Sequence, residues 1–195
     1  MEGRPLEESD LVERAKRHDV NAYESLVQRY QQLAFRAAYH ITGDASEAED
    51  AAQDAFVKAY YALGRFRSGA PFKPWLLRIV TNEATNRRAS TGRRIGLQQR
   101  AAALAQVSGD SAQSPEAAAE ARERRETILR AMGELSLQDR TVIAYKYFLD
   151  LGEAEMAIAM NVPKGTIKSR LSRSLTRLRA VLAIEADPPG GVRHG

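Results

Sequence analysis

The sequence contains no cysteine, so the chain can form no disulfide, no thiolate metal site and no thiol redox switch. No apolar run approaches the ~18 residues of a membrane-spanning helix. The N-terminus, MEGRPLEESD, lacks the basic start and apolar core of a signal peptide. These absences predict a cytoplasmic protein with no membrane insertion.

Signatures of catalysis are missing as well. His18, His40 and His194 are scattered along the chain, and no glycine-rich phosphate loop follows a strand. The carboxylates cluster on one predicted helix without a base or a metal partner. We therefore expect that the protein is not an enzyme and that it holds no metal and no cofactor.

Helical periodicity dominates the sequence, and no stretch alternates with the period of two that a strand requires. We therefore predict an all-α protein. Ser9 is expected to cap a short first helix, and Asn21 a second helix that stops before Gly43. Ser46 is expected to cap a third helix over about 47–62.

The chain is predicted to form two small helical domains, 1–90 and 115–184. Residues 91–114 are rich in Ala, Gln, Ser and Gly and lack apolar periodicity, which indicates a flexible linker. Residues 185–195 are expected to form a flexible tail. The later helices are expected from about Pro74 to Ala89, from Pro115 to Gly133, and over about 137–148, 153–160 and 164–183.

The last two predicted helices form a helix-turn-helix. An apolar helix meets a tight turn at Asn161-Val162-Pro163, and the chain then re-enters a helix. Residues 161–179 carry six positive charges and no negative one. On a helical wheel, one core-facing stripe contains Ile167, Leu171, Leu175, Leu178 and Leu182.

Side chains off that stripe are cationic or hydroxylic, and such groups bond phosphates and base edges. The segment therefore predicts a recognition helix for the DNA major groove. The alternative is a basic surface helix that packs by its leucines and happens to lack acids. The residues expected to contact DNA are Lys164, Thr166, Lys168, Ser169, Arg170, Ser172, Arg173 and Arg177.

The first domain is neutral overall, yet its charges are separated. Residues 44–57 hold five acids and no base, whereas residues 64–94 hold eight bases against Glu83 alone. Each block taken alone is equally well explained as a solvated face. Together they predict two surfaces of opposite sign on one domain.

Three motifs in this order and spacing resemble the extracytoplasmic-function (ECF) family of bacterial sigma factors. The promoter-binding C-terminal domain of that family is similar to AMGELSLQDRTVIAYKYFLDLGEAEMAIAMNVPKGTIKSRLSRSLTRLR, including the G-T-[VI]-[KR]-S-R run at Gly165 to Arg170. Its acidic polymerase-binding helix resembles DASEAEDAAQDAFVKAY, and its minus-ten loop and helix resemble RFRSGAPFKPWLLRIVTNEATNRR. The resemblance covers roughly residues 9–90 and 115–183.

The resemblance implies that the acidic helix docks on core RNA polymerase, with Phe56 as an anchor and polar contacts from Asp50, Gln53, Asp54 and Lys58. An ordinary amphipathic helix that packs by its apolar face is the alternative, and both can hold, one per face. The minus-ten loop and helix would capture a flipped base of the melted strand. The residues expected there are Arg65, Arg67, Lys73, Arg78, Asn82, Asn86, Arg87 and Arg88, whereas Trp75 is expected in the core.

The resemblance thus implies a sigma factor that directs core polymerase to specific promoters in a stress or envelope response, with promoter DNA, core polymerase and an anti-sigma protein as partners. Two positions depart from the family pattern: Gly152 replaces a capping Ser or Thr, and Lys164 replaces an apolar or small residue. A conventional dimeric helix-turn-helix regulator is the main alternative, and a helical adaptor that binds no DNA is another.

Overall fold

A computed structural model describes residues 7–91 and 115–186. All regular structure in these two ranges is helical, as predicted. A 3-10 turn, Leu63–Arg65, follows the third helix, and a π-helical turn, Ala144–Phe148, continues the sixth. The α-helices are α1 Glu8–Lys16, α2 Val20–Thr42, α3 Ala45–Ala62, α4 Phe72–Thr91, α5 Pro115–Glu134, α6 Leu137–Ile143, α7 Glu153–Met160 and α8 Lys164–Ala186.

The predicted linker and tail lie almost wholly outside the described residues, so their flexibility stays a prediction. The start of α5 at Pro115 agrees with the expected proline at the first helical position. The fourth helix extends about two residues beyond each predicted end.

Aspartates, not the predicted Asn and Ser, cap the second and third helices. The Asp19 carboxylate accepts a hydrogen bond of 3.1 Å from the Ala22 N–H, and Asn21 lies inside α2. The Asp44 carboxylate accepts one of 2.9 Å from the Glu47 N–H, so Ser46 also lies inside its helix. An aspartate is as good a cap as either residue, and each helix starts at the aspartate that precedes the predicted cap.

The prediction for the first helix was also wrong, because α1 begins at Glu8 and Ser9 lies inside it. The Glu8 carboxylate accepts hydrogen bonds from the Tyr30 hydroxyl and, at 3.3 Å, from the Phe72 N–H. One acid therefore fastens α1 to α2 and to the start of α4. These two long-range bonds hold the start of α1, which has no side-chain cap.

The turn of the helix-turn-helix depends on a left-handed residue. Asn161 has a φ of 53°, a conformation that Asn adopts more readily than most residues. The Asn161 and Val162 N–H groups donate to carbonyls at the end of α7, and α8 then starts directly after Pro163. The chain reverses here as the sequence predicts.

Small residues let α2, α3 and α4 pack closely in the N-terminal half. Buried alanines line the facing surfaces of α2 and α3. The loop before α4 is closed by aromatic contacts, with the Trp75 ring 4.8 Å from Phe66 and 5.5 Å from Phe72. Trp75 is partly buried and packs against the core, which agrees with its predicted role there.

The C-terminal half is built around α8. Ile167 is fully buried and Leu178 is buried, and Leu171, Leu175 and Leu182 pack against the same core. The predicted apolar stripe is therefore confirmed. Helices α5, α6 and α7 all contact α8.

The two halves are in contact with each other through α4 against α7 and α2 against α6. Tyr145 is buried; its hydroxyl is hydrogen-bonded to the Thr81 hydroxyl and donates to the Leu77 carbonyl at 3.1 Å. Burial raises the pKa of this phenol, which keeps it neutral. A polar side chain of the second half is thus fully satisfied by α4 of the first.

A buried arginine makes a second link between the halves. Arg140 is 3% exposed and donates to the carbonyls of Met132 at 2.9 Å and Gly133 at 2.5 Å. It also donates to the Ile41 carbonyl at 3.1 Å. The last turns of α5 and α2 therefore share one guanidinium, which satisfies carbonyls that helix ends leave unpaired.

Candidate nucleic-acid interface

The outer face of α8 is exposed and carries the predicted DNA contacts. Lys164, Lys168, Ser169, Ser172 and Arg173 are exposed, and Thr166 and Arg170 are half-buried. The helix contains no acid before Glu185. Its positive face is therefore open along the first half of the helix.

Few intramolecular bonds hold these cations. Arg173 donates to the Ser169 carbonyl at 3.2 Å, one turn earlier on its own helix. Lys168 lies 3.9 Å from Glu153 of α7 and remains 80% exposed, so this pair is weak. The structure leaves both side chains available to a phosphate or a base edge.

Arg177 differs from the other predicted contacts, because its Nη1 lies 2.8 Å from both carboxylate oxygens of Asp139. Asp139 also accepts hydrogen bonds from Ser174 at 2.5 Å and from Ser136 at 2.6 Å. Burial alone would raise the pKa of Asp139, but these donors outweigh burial and hold the pKa below its usual value. The carboxylate is thus kept ionised.

The sequence-based interpretation missed Asp139 and Ser174. Ser174 is 1% exposed, and it lies within about 20° of Ile167 on a helical wheel. A serine inside an apolar stripe needs a buried partner. That position was the available signal, although nothing in the sequence pattern identifies the partner.

The predicted DNA contacts on the minus-ten loop and on α4 fall into two groups. Arg65, Arg67, Asn82 and Asn86 are exposed, and Arg78 is half-buried. These side chains lie on the loop after α3 and along α4, so one surface runs from the loop to the helix. They are the predicted DNA contacts that the structure leaves open.

The other three predicted contacts on α4 have partners. Lys73 lies 3.1 Å from Glu155 of α7, and Arg88 donates to the Ile41 carbonyl at 2.7 Å. Burial lowers the pKa of Arg88. Arg140 of the C-terminal half contacts the same Ile41 carbonyl, and Glu155 also belongs to that half. Lys73 and Arg88 therefore both lie at the seam, which is the contact between the two halves.

Arg87 joins the predicted DNA surface to the predicted polymerase surface. Its guanidinium lies 2.6 Å from Asp54 and 2.8 Å from Asp50. The hydrogen bond to Asp54, together with both carboxylate charges, raises the pKa of Arg87. The two acids remain half-exposed, so this pairing neutralises part of the acidic block without burying it.

The remaining predicted polymerase contacts lie on α3. Gln53 and Lys58 are exposed, and Lys58 lies 2.5 Å from Glu83 of α4. Phe56, the expected anchor, is only 9% exposed and belongs to the core, as the alternative of an amphipathic helix packed by its apolar face has it. It faces inward since it lies on the alanine-rich side of α3.

An apolar groove of about 290 Å³ lies beside the acids on α3. Val57 and Tyr61 on its edge are 56% and 81% exposed. Tyr23 lies below them and its hydroxyl donates to the Phe56 carbonyl at 2.5 Å. The apolar surface that α3 offers to a partner is therefore this groove, and Phe56 forms part of its lining.

The weak cap predicted at Gly152 is compensated by an acid. The Glu155 carboxylate accepts a hydrogen bond of 2.9 Å from the Gly152 N–H, which closes the first turn of α7. The same carboxylate pairs with Lys73.

Within the described ranges, no group of acids and histidines could hold a metal ion. The helices of these ranges include none with the length and apolar character of a membrane span.

Comparison with known families defines the class. Residues 26–94 match Sigma-70 region 2, and residues 125–178 match Sigma-70 region 4. The fold is similar to that of CnrH in complex with the cytosolic domain of CnrY, with a TM-score of 0.68, 22% identity and coverage of 92% of this chain and 98% of that chain. It is also similar to sigma factor RpoE in complex with the anti-sigma factor NepR from Bartonella quintana, with a TM-score of 0.63 and 22% identity over 84% of this chain and 98% of that chain.

Curated relatives narrow the class. The chain is 36% identical to the RNA polymerase sigma-H factor of Pseudomonas aeruginosa over 86% of its length and 90% of that protein. It is 31% identical to the ECF RNA polymerase sigma factor SigW of Bacillus subtilis, covering 88% of this chain and 94% of that protein. The chain belongs to the ECF family of RNA polymerase sigma factors, which direct core polymerase to specific promoters and act as specificity subunits, not catalysts.

Proposed function

We propose that α8 contacts the upstream promoter element with its outer face. The observation that carries this proposal is the open, acid-free surface from Lys164 to Arg173. Cations there can bond both phosphates and guanine edges, and the hydroxyls can bond several bases. The proposed contacts are Lys164, Thr166, Lys168, Ser169, Arg170, Ser172 and Arg173, whereas Arg177 is paired with Asp139.

The loop and α4 are proposed to bind the non-template strand once it melts. Arg65, Arg67, Asn82 and Asn86 supply exposed charge and hydrogen-bonding groups for this strand. Ring contacts among Phe66, Phe72 and Trp75 pack the loop that carries Arg67 against the start of α4. Arg78 is half-buried beside them, and Lys73, Arg87 and Arg88 would join them when their present contacts open.

Core polymerase is proposed to dock on α3. Asp50, Gln53, Asp54 and Lys58 offer the polar contacts, and the adjacent groove with Val57 and Tyr61 offers apolar area. Acids beside an apolar groove fit a partner helix that carries basic and apolar residues together. The same acids repel DNA phosphates, so the surfaces for polymerase and for DNA stay distinct.

Docking on polymerase is proposed to separate the two halves. Lys73 and Arg88 lie at the seam between the halves, and Tyr145 packs on α4 itself. Polymerase would hold α4 and α8 at a fixed spacing. Much of the entropy cost of fixing the two halves relative to each other would therefore be met by polymerase binding, before DNA binds. Tight promoter binding then requires polymerase.

The chain is further proposed to act in the cytoplasm under the control of an anti-sigma protein. Support comes from CnrH and RpoE, whose structures contain CnrY and the anti-sigma factor NepR respectively. We propose that the chain acts in a stress or envelope response, because it belongs to the ECF family.

Run-off transcription with purified core polymerase tests the whole proposal. Addition of this chain should produce discrete transcripts from a genomic template pool, whereas core alone should produce none. A chain that binds duplex DNA tightly without polymerase, as a dimer by gel filtration, would instead support the conventional regulator.

A further inference from the structure

A nearly buried carboxylate joins α6 to α8. Asp139 is 6% exposed and occupies the first turn of α6, where Ser136 caps the helix. It accepts hydrogen bonds from Ser174 at 2.5 Å and from Arg177 at 2.8 Å. Ser174 and Arg177 lie one turn apart on α8. One acid therefore holds α8 at two points one turn apart, the buried Ser174 and the 59% exposed Arg177.

Apolar packing alone does not fix how α8 is rotated. Ile167 and Leu178 bury against the core, but the hydrophobic effect is non-directional. A small rotation of the helix keeps most of that burial. By contrast, the same rotation would pull Ser174 and Arg177 away from Asp139 and leave the buried carboxylate with the Ser136 hydroxyl alone of its three side-chain donors, which is unfavourable.

The rotation of α8 matters for contacts with bases. Lys168 precedes Ser174 by six residues, which is about 9 Å along the helix axis. A rotation of about 20° moves side-chain tips by about 2 Å. Hydrogen bonds to base edges do not survive such a displacement, because their lengths vary only within about 0.5 Å. Contacts with phosphates through flexible side chains tolerate it better.

We propose that Asp139 is a positioning residue for promoter recognition, and that it fixes the rotation of α8 through Ser174 and Arg177. Arg177 then acts through Asp139 and not as a contact with DNA. This inference rests on the proposed role of α8 in contacting the upstream element. It assigns sequence discrimination to a residue that itself lies away from the DNA face.

The test uses the full chain assembled with core polymerase. Selection from a pool of random duplexes by the wild-type holoenzyme first defines a preferred upstream sequence. Affinities are then measured for that duplex and for a scrambled duplex of the same composition, at several salt concentrations. The variants are Asp139→Asn, Ser174→Ala and Arg177→Ala, and the matched control is Arg179→Ala, an exposed cation on the same helix.

Asp139→Asn and Ser174→Ala should lower the ratio of preferred to scrambled affinity by about tenfold, with little change for the scrambled duplex. Arg177→Ala should lower the same ratio without changing the slope of affinity against salt. Arg177→Lys should restore part of the ratio, because its ammonium can reach the carboxylate. Arg179→Ala should leave the ratio unchanged.

Two results would overturn the inference. A fall of about one in the salt slope of Arg177→Ala would show a lost phosphate contact. An unchanged ratio in Ser174→Ala, even with a lower melting temperature, would show that the network only stabilises the fold. If Asp139→Asn fails to fold, the other two variants still decide. A wild-type holoenzyme that selects no upstream sequence would reject the proposed role of α8 itself.

Discussion

The two cationic surfaces of this sigma factor differ in what their charges do within the chain. On the first half of α8, Lys168 has only one distant, exposed partner, and Arg173 bonds only to its own helix. On α4, Lys73 and Arg88 are held by α7 and by the end of α2, and Arg87 by two acids of α3. One surface is ready for DNA, and the other is largely engaged with protein.

We therefore expect the helix-turn-helix to contact duplex DNA without rearrangement, whereas part of α4 must first exchange partners. Strand capture follows polymerase binding and melting, so a surface that opens late suits that step. The ion pairs of Lys73 and Arg87 are partly exposed and cost little to open, whereas the buried hydrogen bonds of Tyr145 and Arg140 at the seam cost more.

Breaking the acidic surface on α3 should have the largest effect. Asp50→Lys combined with Asp54→Lys should weaken association with core polymerase about 100-fold or more, because two attractive contacts become repulsive. Pull-down with core polymerase measures it, and circular dichroism checks folding, since both acids also pair with Arg87. Glu49→Lys, an exposed acid on the same helix, is the control. Wild-type association would mean that the acids form only a solvated face.

Truncating the open cations of α8 should have the next largest effect. Arg173→Ala or Lys168→Ala should cost about 1–3 kcal/mol in promoter binding by the holoenzyme if the side chain contacts a base. The cost should be smaller, with unchanged sequence preference, if it contacts only phosphate. Arg130→Ala on α5, an exposed cation away from α8, is the comparison. Undiminished binding in both variants would reject the recognition-helix assignment.

The loop and α4 should affect melting more than duplex binding. Arg67→Ala and Asn82→Ala should reduce strand opening several-fold, because a single-strand pocket acts only after bases leave the stack. Permanganate reactivity of promoter thymines measures opening, and gel shift of closed complexes measures binding. Equal melting by variant and wild type would remove both residues from the proposed pocket.

The all-α fold, the helix-turn-helix and the apolar stripe of α8 could be predicted, because each depends on local periodicity. Helix starts were less predictable, since Asp19 and Asn21 are both acceptable caps and cap preference alone does not select one. The link from Asp139 to Ser174 joins residues 35 positions apart. Periodicity carries no information about such pairs.

The seam between the halves could not be foreseen for the same reason. Tyr145 contacts α4 over 60 residues away in sequence, and Arg140 contacts a carbonyl 99 residues away. The sequence offered only a composition that predicts a linker, which says nothing about whether the joined halves touch. Their contact changes the expected behaviour of α4 but not its proposed role.

Weakening the seam should sharpen the contrast between α4 and α8. Tyr145→Phe removes a hydroxyl bonded to Thr81 and Leu77 and should cost the free chain about 1 kcal/mol. If polymerase separates the halves, this cost falls on the free form alone, and affinity for core polymerase should rise about fivefold. Tyr30→Phe, which loses a hydroxyl bond to Glu8 within the N-terminal half, should leave that affinity unchanged. Equal effects of the two variants would mean that the seam persists in the holoenzyme.

The smallest expected effect is a pH dependence within the C-terminal half. Folding lowers the pKa of Asp139 below its ordinary value of 3.8. In acid, the Asp139 carboxylate is therefore protonated more readily in the unfolded chain than in the folded chain. The stabilisation from this carboxylate is therefore complete above about pH 4 and is lost as the pH falls through the folded pKa.

The difference in melting temperature between wild type and Asp139→Asn isolates this contribution, because all other acids titrate alike in both proteins. Thermal denaturation is followed by circular dichroism from about pH 7 to about pH 2.5. The difference in melting temperature should be constant above about pH 4 and should become smaller at lower pH. A difference that stays constant over the whole range would mean that the charge of Asp139 is not what holds Ser174 and Arg177. Neutral hydrogen bonds and apolar packing would then suffice to orient α8, and the carboxylate charge would not be needed to position the proposed base contacts.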